Sequence, residues 1–203
     1  MHRASATARF ASPLGALTLH ATEDWLTGLS IPPSVDTGAT QGDVTHPILA
    51  AAITQLDAWF AGRLHDFDLP LSPLDSAEGA ALRAAIASIP YGKTMTYGEL
   101  AANCGSVARA VGGACKSNPF PIIIPCHRVT SAAGPEYYSG GDGPRTKTWL
   151  LDFEYSNLPE PLTVAIYLGN SSVDSITQSP SIRPPTNVQS PGVCLLLLGK
   201  VLR

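Results

Sequence analysis

A cysteine and a histidine are adjacent at positions 126 and 127, at the end of the apolar, strand-like run Pro121 to Pro125. A thiol attacks as its thiolate, so a nucleophilic cysteine needs a nearby base or positive field, and it needs access to a substrate. His127 can be that base, directly if Pro125 turns the chain or through a water molecule, because neighbours on a strand point to opposite sides. Cys126 is therefore a candidate nucleophile, although an isolated pair of this kind is more often a buried cysteine beside an unrelated histidine.

Two neighbouring elements are placed to support this pair. The segment from Thr146 to Glu154 has apolar residues at helical spacing and ends in a carboxylate that could orient a histidine. Asn118 precedes Pro119, and the two predict a turn, because asparagine bonds its own backbone and the residue before proline avoids the helical region. The helix before this turn is expected to end at Ser117.

Two short helices are predicted upstream, Tyr97 to Cys104 and Val107 to Lys116, joined at Gly105. This is the outline of a helix-turn-helix. The second helix has little side-chain bulk, and each glycine in a helix costs about 1 kcal/mol relative to alanine. Either tight packing against another helix or the close approach of a ligand to the backbone would explain the small residues, which are Ala108, Ala110, Gly112, Gly113 and Ala114.

The first third of the chain has the pattern of a small α/β domain. Arg9 to Ala21 alternates around a turn at residues 12–15, and Trp25 to Ile31 is a second strand candidate. A helix is predicted over Pro47 to Ala61, and Leu69 to Pro73 resembles a linker. We expect an α/β N-terminal domain, a small sheet with flanking helices, followed by a mainly helical C-terminal domain with a winged-helix-like helix-turn-helix.

Composition excludes several classes of protein. The net charge of −3 argues against a strongly basic nucleic-acid binder, although residues 83–154 carry 7 basic and 5 acidic groups. The four cysteines have no zinc-ligand spacing, so we expect no metal and a reducing compartment. No apolar stretch is long enough to span a membrane, and the start lacks the apolar core of a signal peptide.

Four sequence blocks, in order, carry a resemblance to a known family. From Ile89 the chain contains IPYGKTMTYGELA, ARAVGGACKSNPFPIIIPCHRV, YSGG and KTWLLDFE, and PCHR is the core of the second of these. The chain resembles the O6-alkylguanine-DNA alkyltransferases, the methylated-DNA protein-cysteine methyltransferases, strongly over residues 82–154 and weakly over 8–74. The resemblance implies direct-reversal DNA repair, in which an alkyl group moves irreversibly from O6 of guanine, and as a further candidate from O4 of thymine, to Cys126.

The resemblance also implies roles for the catalytic residues. Glu154, His127 and a water molecule would form a relay to Cys126, and Asn118 would brace the turn that carries it. Tyr97 would press on a phosphate and protonate the departing guanine. A pocket for the flipped base would be formed by a loop and its surroundings, at Val129, Tyr138, Ser139 and Gly140. No cofactor and no metal is implied, and each molecule should act once.

The implied partner is double-stranded DNA that contains O6-alkylguanine. The second helix would enter the minor groove without sequence specificity, because this groove presents few base-specific groups. Arg109 would fill the gap that the flipped nucleotide leaves. The implied DNA-binding residues are Tyr97, Ala108, Arg109, Ala110, Gly112, Gly113, Lys116 and Arg128. We expect a monomer in the cytoplasm of a bacterium, or in the nucleus if the source is eukaryotic.

Three departures from the family pattern bear on this interpretation. The helix from Ser76 to Ile86 is mostly alanine, the turn at Gly105 is two residues shorter than usual, and the chain from Tyr155 onward has no counterpart. We divide the chain into residues 1–72, 73–155 and 156–203, the last an extension of no assigned function. A lesion-binding protein without transfer activity is the main alternative. A DNA-binding regulator that senses Cys126 alkylation, or a cysteine hydrolase, is weaker.

Overall fold

The computed structural model describes residues 5–33 and 38–158 of the 203-residue chain. The predicted extension at 156–203 therefore lies, from residue 159, outside the described residues. The first half contains a four-stranded antiparallel sheet in the order β3-β2-β1-β4 and one helix. Their bounds are β1 Ala6–Ser12, β2 Gly15–Ala21, β3 Leu26–Ser30, β4 Gln41–Gly42 and α1 Pro47–Phe60.

The sheet buries one face because its strands alternate as the sequence predicts. Ala8 and Phe10 of β1, and Leu17 and Leu19 of β2, are buried, and α1 packs against these two strands. Helix α1 begins with Pro47, whose missing N–H costs nothing at the first helical position.

The second half carries the helix-turn-helix. Thr96 and Glu99 form a capping box that begins α3, and Gly105, with φ of 66°, turns the chain before α4. Two short strands pair in parallel beside these helices. The expected fold class is thus confirmed, with the bounds α2 Ala77–Ala87, β5 Met95–Thr96, α3 Tyr97–Asn103, α4 Ala108–Lys116, a 3-10 turn Cys126–Arg128, β6 Val129–Thr130 and α5 Pro144–Ser156.

The apolar run before Cys126 is not a strand, and this prediction was wrong. Residues 119–124 form bends and turns, and Ile122 has φ of 74°. The prolines at 119, 121 and 125 lack the N–H groups that a strand would contribute to a sheet. The isoleucines are apolar because the turn itself is buried: Ile122, Ile123 and Ile124 are each at most 7% exposed.

The edge of the sheet supports this turn. The N–H of Leu29 in β3 donates to the carbonyl of Pro119 at 2.8 Å. The N–H of Leu26 donates to Pro70 at 2.7 Å, and the N–H of Ser72 donates to Leu26 at 2.9 Å. The first half of the chain therefore fixes the backbone that leads into the cysteine segment.

A cluster of aromatic rings joins α1 to α5. Trp59 is fully buried, and its ring lies 4.9 Å from that of Phe153, the residue before Glu154. Phe60 lies 6.3 Å from Trp149. Among the described residues, no helix is long and apolar enough to cross a membrane.

Replacing Trp59 by alanine should lower the free energy of unfolding by about 3 to 5 kcal/mol, because it leaves a large cavity between α1 and α5. Trp25→Ala is the matched control, since Trp25 is 36% exposed and should cost far less. Urea unfolding followed by circular dichroism measures both. Equal losses in the two variants would contradict the proposed role of the ring cluster.

Candidate active site

Cys126 lies in the 3-10 turn with only 4% of its surface exposed. The amide of Asn118 donates to Cys126 Sγ at 3.1 Å and to the carbonyl of Ile124 at 2.9 Å. Its carbonyl oxygen accepts from the N–H of Phe120 at 3.0 Å. One asparagine side chain therefore holds both ends of the buried turn and contacts the sulfur.

The carboxylate of Glu154 ties three segments of the chain together. Its Oε1 lies 2.7 Å from Nε2 of His127, and its two oxygens accept from Nε of Arg128 at 3.1 and 3.0 Å. Oε2 also accepts from the N–H of Gly92 at 2.9 Å. All three side chains in this network are at most 3% exposed. A buried carboxylate needs such partners, because an uncompensated charge in the interior is strongly destabilising.

Arg128 keeps Glu154 ionised. Burial raises the pKa of Glu154, but the hydrogen bond of His127, the charge that its ring carries once protonated, and the hydrogen bonds and charge of Arg128 outweigh this and bring the pKa to about 2. The prediction that Arg128 contacts DNA is corrected here: its guanidinium is in the interior, where Nη2 donates to Glu154 at 2.9 Å and Nη1 donates to the carbonyl of Ile89 at 2.6 Å. A group so enclosed cannot reach a phosphate.

His127 is arranged as a neutral proton acceptor. Complete burial lowers its pKa, and Arg128 and Lys147 lower it further, while Glu154 raises it in part. Since Nε2 faces Glu154, the neutral ring carries its proton there and presents a bare Nδ1. This Nδ1 is buried and has no hydrogen-bond partner in the described part of the chain.

The surroundings of Cys126 shift the pKa of its thiol in opposite directions. Burial raises its pKa, and this effect exceeds the lowering by Asn118, by the charge of Lys147 and by the backbone N–H groups of residues 126 and 127. The cysteine is therefore a thiol at neutral pH and needs a base to become a nucleophile. His127 is also neutral, so proton transfer between the two is chemically feasible.

Lys147 is a site residue that sequence reasoning missed. Its side chain is fully buried, and Nζ donates to the carbonyls of Val129 at 2.6 Å and Tyr137 at 2.9 Å. The same group lies 5.8 Å from the centre of the Tyr97 ring. A lysine on a predicted helix is normally solvated, and its partners here are backbone carbonyls, which carry no signature in the sequence.

A cavity of about 560 Å³ opens beside Cys126. This volume is typical of a small-molecule site. Val129 and Gly140, which were predicted to form a pocket, do not line it; Val129 is fully buried, and its carbonyl accepts from Lys147. The lining residues are Tyr97, Ala108, Gly112, Cys115, Lys116, Cys126, Tyr137, Tyr138 and Ser139.

The cavity connects Cys126 with the exposed side of α4. Ala108, Gly112 and Lys116 are one helical turn apart, and they form one wall. A Cβ atom added at Gly112 or Gly113 would meet no atom within 4 Å, so the backbone of α4 is open to close approach. Arg109 and Gly113 lie exposed on α4, and Ala110 is half-buried there, all three outside the cavity lining. Among the described residues, no group of three His, Cys, Asp or Glu side chains is placed to hold a metal ion.

The fold and the site together define a class: a cysteine with an acid-oriented histidine, at the floor of a cavity that opens beside a helix-turn-helix. Residues 7–73 match the family model for the 6-O-methylguanine DNA methyltransferase ribonuclease-like domain. Residues 80–156 match the model for the DNA binding domain of the same proteins. The chain belongs to the O6-alkylguanine-DNA alkyltransferase family.

Individual relatives agree with this assignment. The chain is 39% identical over 156 residues to the methylated-DNA–protein-cysteine methyltransferase of Mycolicibacterium paratuberculosis, covering 75% of this chain and 94% of the relative. It is 33% identical over 195 residues to that of Mus musculus, covering 85% and 92%. The crystal structure of Mycobacterium tuberculosis O6-methylguanine methyltransferase superimposes with a TM-score of 0.64 at 36% identity, covering 79% and 98%. A structure of Mycobacterium tuberculosis OGT in complex with DNA gives 0.60 at 36%, covering 74% and 93%.

The ionised Glu154 should make stability depend on pH in a specific range. Its folded-state pKa of about 2 lies below the ordinary value of 4.5, so its stabilisation is complete above pH 4.5 and is lost as the pH falls towards 2. Glu154→Gln should lower the free energy of unfolding at pH 7 by about 3 kcal/mol, because Arg128 loses its countercharge. The difference from wild type should shrink as the pH falls below 4.5.

Urea unfolding at pH 7, 5, 4 and 3 measures this dependence. Asp152→Asn, which changes an exposed carboxylate on the same helix, is the control and should have little effect. A Glu154→Gln variant as stable as wild type at pH 7 would show that the buried network does not stabilise the fold.

Proposed function

We propose that this protein repairs alkylated DNA by direct reversal, as a methylated-DNA–protein-cysteine S-methyltransferase. It transfers a methyl or larger alkyl group from O6 of guanine, with O4 of thymine as a further candidate, to its own Cys126. The observation that carries the proposal is the position of Cys126 in a cavity that opens on the exposed face of α4, with His127 and Glu154 behind it. The names of the relatives support the same activity.

The reaction begins with a proton transfer. The Cys126 thiol gives its proton through a bridging water to Nδ1 of His127, the ring nitrogen that has no protein partner in the described residues. Glu154 accepts from the other ring nitrogen and stabilises the imidazolium that forms. The thiolate then attacks the alkyl carbon, a sulfur–carbon bond forms, and the carbon–O6 bond breaks with its electron pair on guanine.

Tyr97 is placed to receive the leaving group. The ring of Tyr97 lines the cavity near Cys126. Burial raises the pKa of Tyr97 most, and the nearby groups of Cys115, Cys126 and Tyr137 raise it further. The phenol therefore keeps its proton at neutral pH and can donate it to the guanine anion. The product is an S-alkyl thioether, which water does not cleave, so each molecule acts once. The scheme requires no cofactor.

The second cysteine of the cavity does not compete for the alkyl group. Burial, followed by the charge of Cys126, raises the pKa of Cys115 to about 12 against a smaller opposing effect of Lys147. No histidine is among the cavity-lining residues beside it. Only the thiolate is an effective nucleophile, so Cys115 stays unreactive at neutral pH.

DNA reaches the cavity through base flipping. O6 of a stacked guanine cannot approach a buried sulfur, so the nucleotide must leave the helix, at a cost of a few kcal/mol. Helix α4 enters the minor groove with its open glycine surface, and Arg109 fills the gap in the duplex. Lys116 and Arg109 are the exposed cations of α4, so affinity should be modest and salt-sensitive.

The loop that contains Tyr138 and Ser139 completes the cavity proposed to hold the flipped base. Tyr138 and Ser139 line the cavity, and Ser139 Oγ lies 3.4 Å from the carbonyl of Lys116 on α4. This contact closes the loop against the DNA-facing helix. Ser139 can exchange it for a hydrogen bond near O6 of the flipped base, while the Tyr138 ring covers the base.

The domain division and the cellular setting follow from the same proposal. Residues 1–72 form the N-terminal domain and 73–155 the catalytic, DNA-binding domain, a division supported by the matched ranges 7–73 and 80–156. The protein acts where DNA is, in the bacterial cytoplasm or a eukaryotic nucleus. Among the described residues, Cys104, Cys115 and Cys126 form no disulfide, which is compatible with a reducing compartment. Binding without transfer is not favoured, because Cys126 is present together with its complete relay.

The test is to incubate the protein with duplex DNA that contains O6-methylguanine and to weigh its peptides. The peptide that carries Cys126 should gain one methyl group, and Cys126→Ala should gain none. Cys115→Ala is the matched control and should be methylated like wild type. Tight binding of the lesion without any gain in mass would overturn transfer in favour of a lesion-binding protein.

Arg109→Ala should slow methyl transfer from duplex DNA by about tenfold or more, since the gap left by the flipped base costs a few kcal/mol. Reaction with free O6-benzylguanine needs no flipping and should be unchanged. Arg63→Ala, which changes an exposed arginine just after the end of α1, is the control. An equal fall in both reactions would show that Arg109 supports the pocket and does not act in the duplex.

A further inference from the structure

Tyr137 is an unusual residue at the mouth of the cavity. Its side chain is 65% exposed, yet it is one of the residues that line the cavity beside Cys126. A tyrosine that is mostly exposed contributes little to folding by burial. Nothing in the proposed transfer chemistry uses it.

The backbone of Tyr137 is held in place from within. Its carbonyl accepts from Nζ of Lys147 at 2.9 Å, and that lysine is fully buried. The same Nζ is anchored to the carbonyl of Val129 at 2.6 Å, next to the 3-10 turn that contains Cys126. An exposed ring on a fixed backbone loses little conformational freedom when a ligand binds it.

Helix α4 lines the same cavity as Tyr137. Ala108, Gly112 and Lys116 are the α4 residues that do so, and a DNA strand bound on α4 that delivers a base into the cavity therefore comes close to Tyr137. Tyr138 also lines the cavity but is less exposed than Tyr137, so Tyr138 is the better placed of the two to cover the flipped base. The ring of Tyr137 can then contact the nucleotide next to the flipped base.

We propose that Tyr137 stacks on the nucleotide that flanks the flipped base, and so holds the damaged strand at the mouth of the cavity. This inference rests on the proposed function, since it takes DNA as the substrate. Stacking on an aromatic ring is tolerant of sequence, because every base has a π face, and it contributes about 1 to 3 kcal/mol per base. It would supply affinity that needs no positive charge, on a chain whose net charge is −3.

The experiment compares Tyr137→Ala, Tyr137→Phe and Tyr137→Trp. Binding to duplex DNA that contains O6-methylguanine is measured by fluorescence anisotropy at several salt concentrations, and S-benzylation of Cys126 by free O6-benzylguanine is measured by mass. Tyr137→Ala should weaken DNA binding about tenfold, with an unchanged slope against salt, because no phosphate contact is lost. Benzylation should fall much less than DNA binding does, because free O6-benzylguanine has no flanking nucleotide to stack on Tyr137. The phenylalanine and tryptophan variants should bind DNA like wild type.

Tyr155→Ala is the matched control, since Tyr155 is 74% exposed at the end of α5. Unchanged DNA affinity in Tyr137→Ala would overturn the proposal. An equal loss of DNA binding and of benzylation would also overturn it, because the residue would then shape the pocket. Failure of wild type to methylate Cys126 would refute the proposed transfer and leave the binding comparison intact as a test of Tyr137.

Discussion

The buried carboxylate of Glu154 is the interaction on which the site depends. Its oxygens accept hydrogen bonds from His127 and Arg128, which belong to the cysteine turn, and from the N–H of Gly92, which lies in the segment before β5. The carboxylate itself comes from α5, whose neighbouring Phe153 packs on Trp59 of α1. Loss of the charge would leave the buried guanidinium of Arg128 without a countercharge. The network therefore stabilises the fold as well as orienting His127.

Burial sets the protonation of both Cys126 and His127. Burial keeps both the thiol of Cys126 and the ring of His127 neutral, and Glu154 is positioned to stabilise the ring only when it gains a proton. A free thiolate in this cavity would react with any small electrophile. Under the proposed mechanism the thiolate forms only when His127 takes the proton of Cys126.

The parts of the site that sequence could predict are those with local signatures. Asn118 before Pro119 predicts a turn, and the small residues of α4 indicate close approach, because both follow from backbone chemistry. The apolar run before Cys126 was wrongly predicted as a strand, because its apolar residues match those of a buried strand. Only its three prolines indicate the turn that the structure contains. Arg128 and Lys147 could not be placed, since charged side chains are rarely buried and their partners come from distant segments.

The most direct test of this account is the protonation state of His127 in the free protein. Nitrogen chemical shifts of the labelled ring at pH 7 should show one protonated nitrogen, Nε2, and one bare nitrogen, Nδ1, with the signals assigned by comparison with His127→Gln. Such a ring can take the proton of Cys126. Two protonated nitrogens at pH 7 would mean that the ring is already an imidazolium, and would contradict the claim that burial keeps His127 neutral, with Nδ1 free to accept the proton of the cysteine.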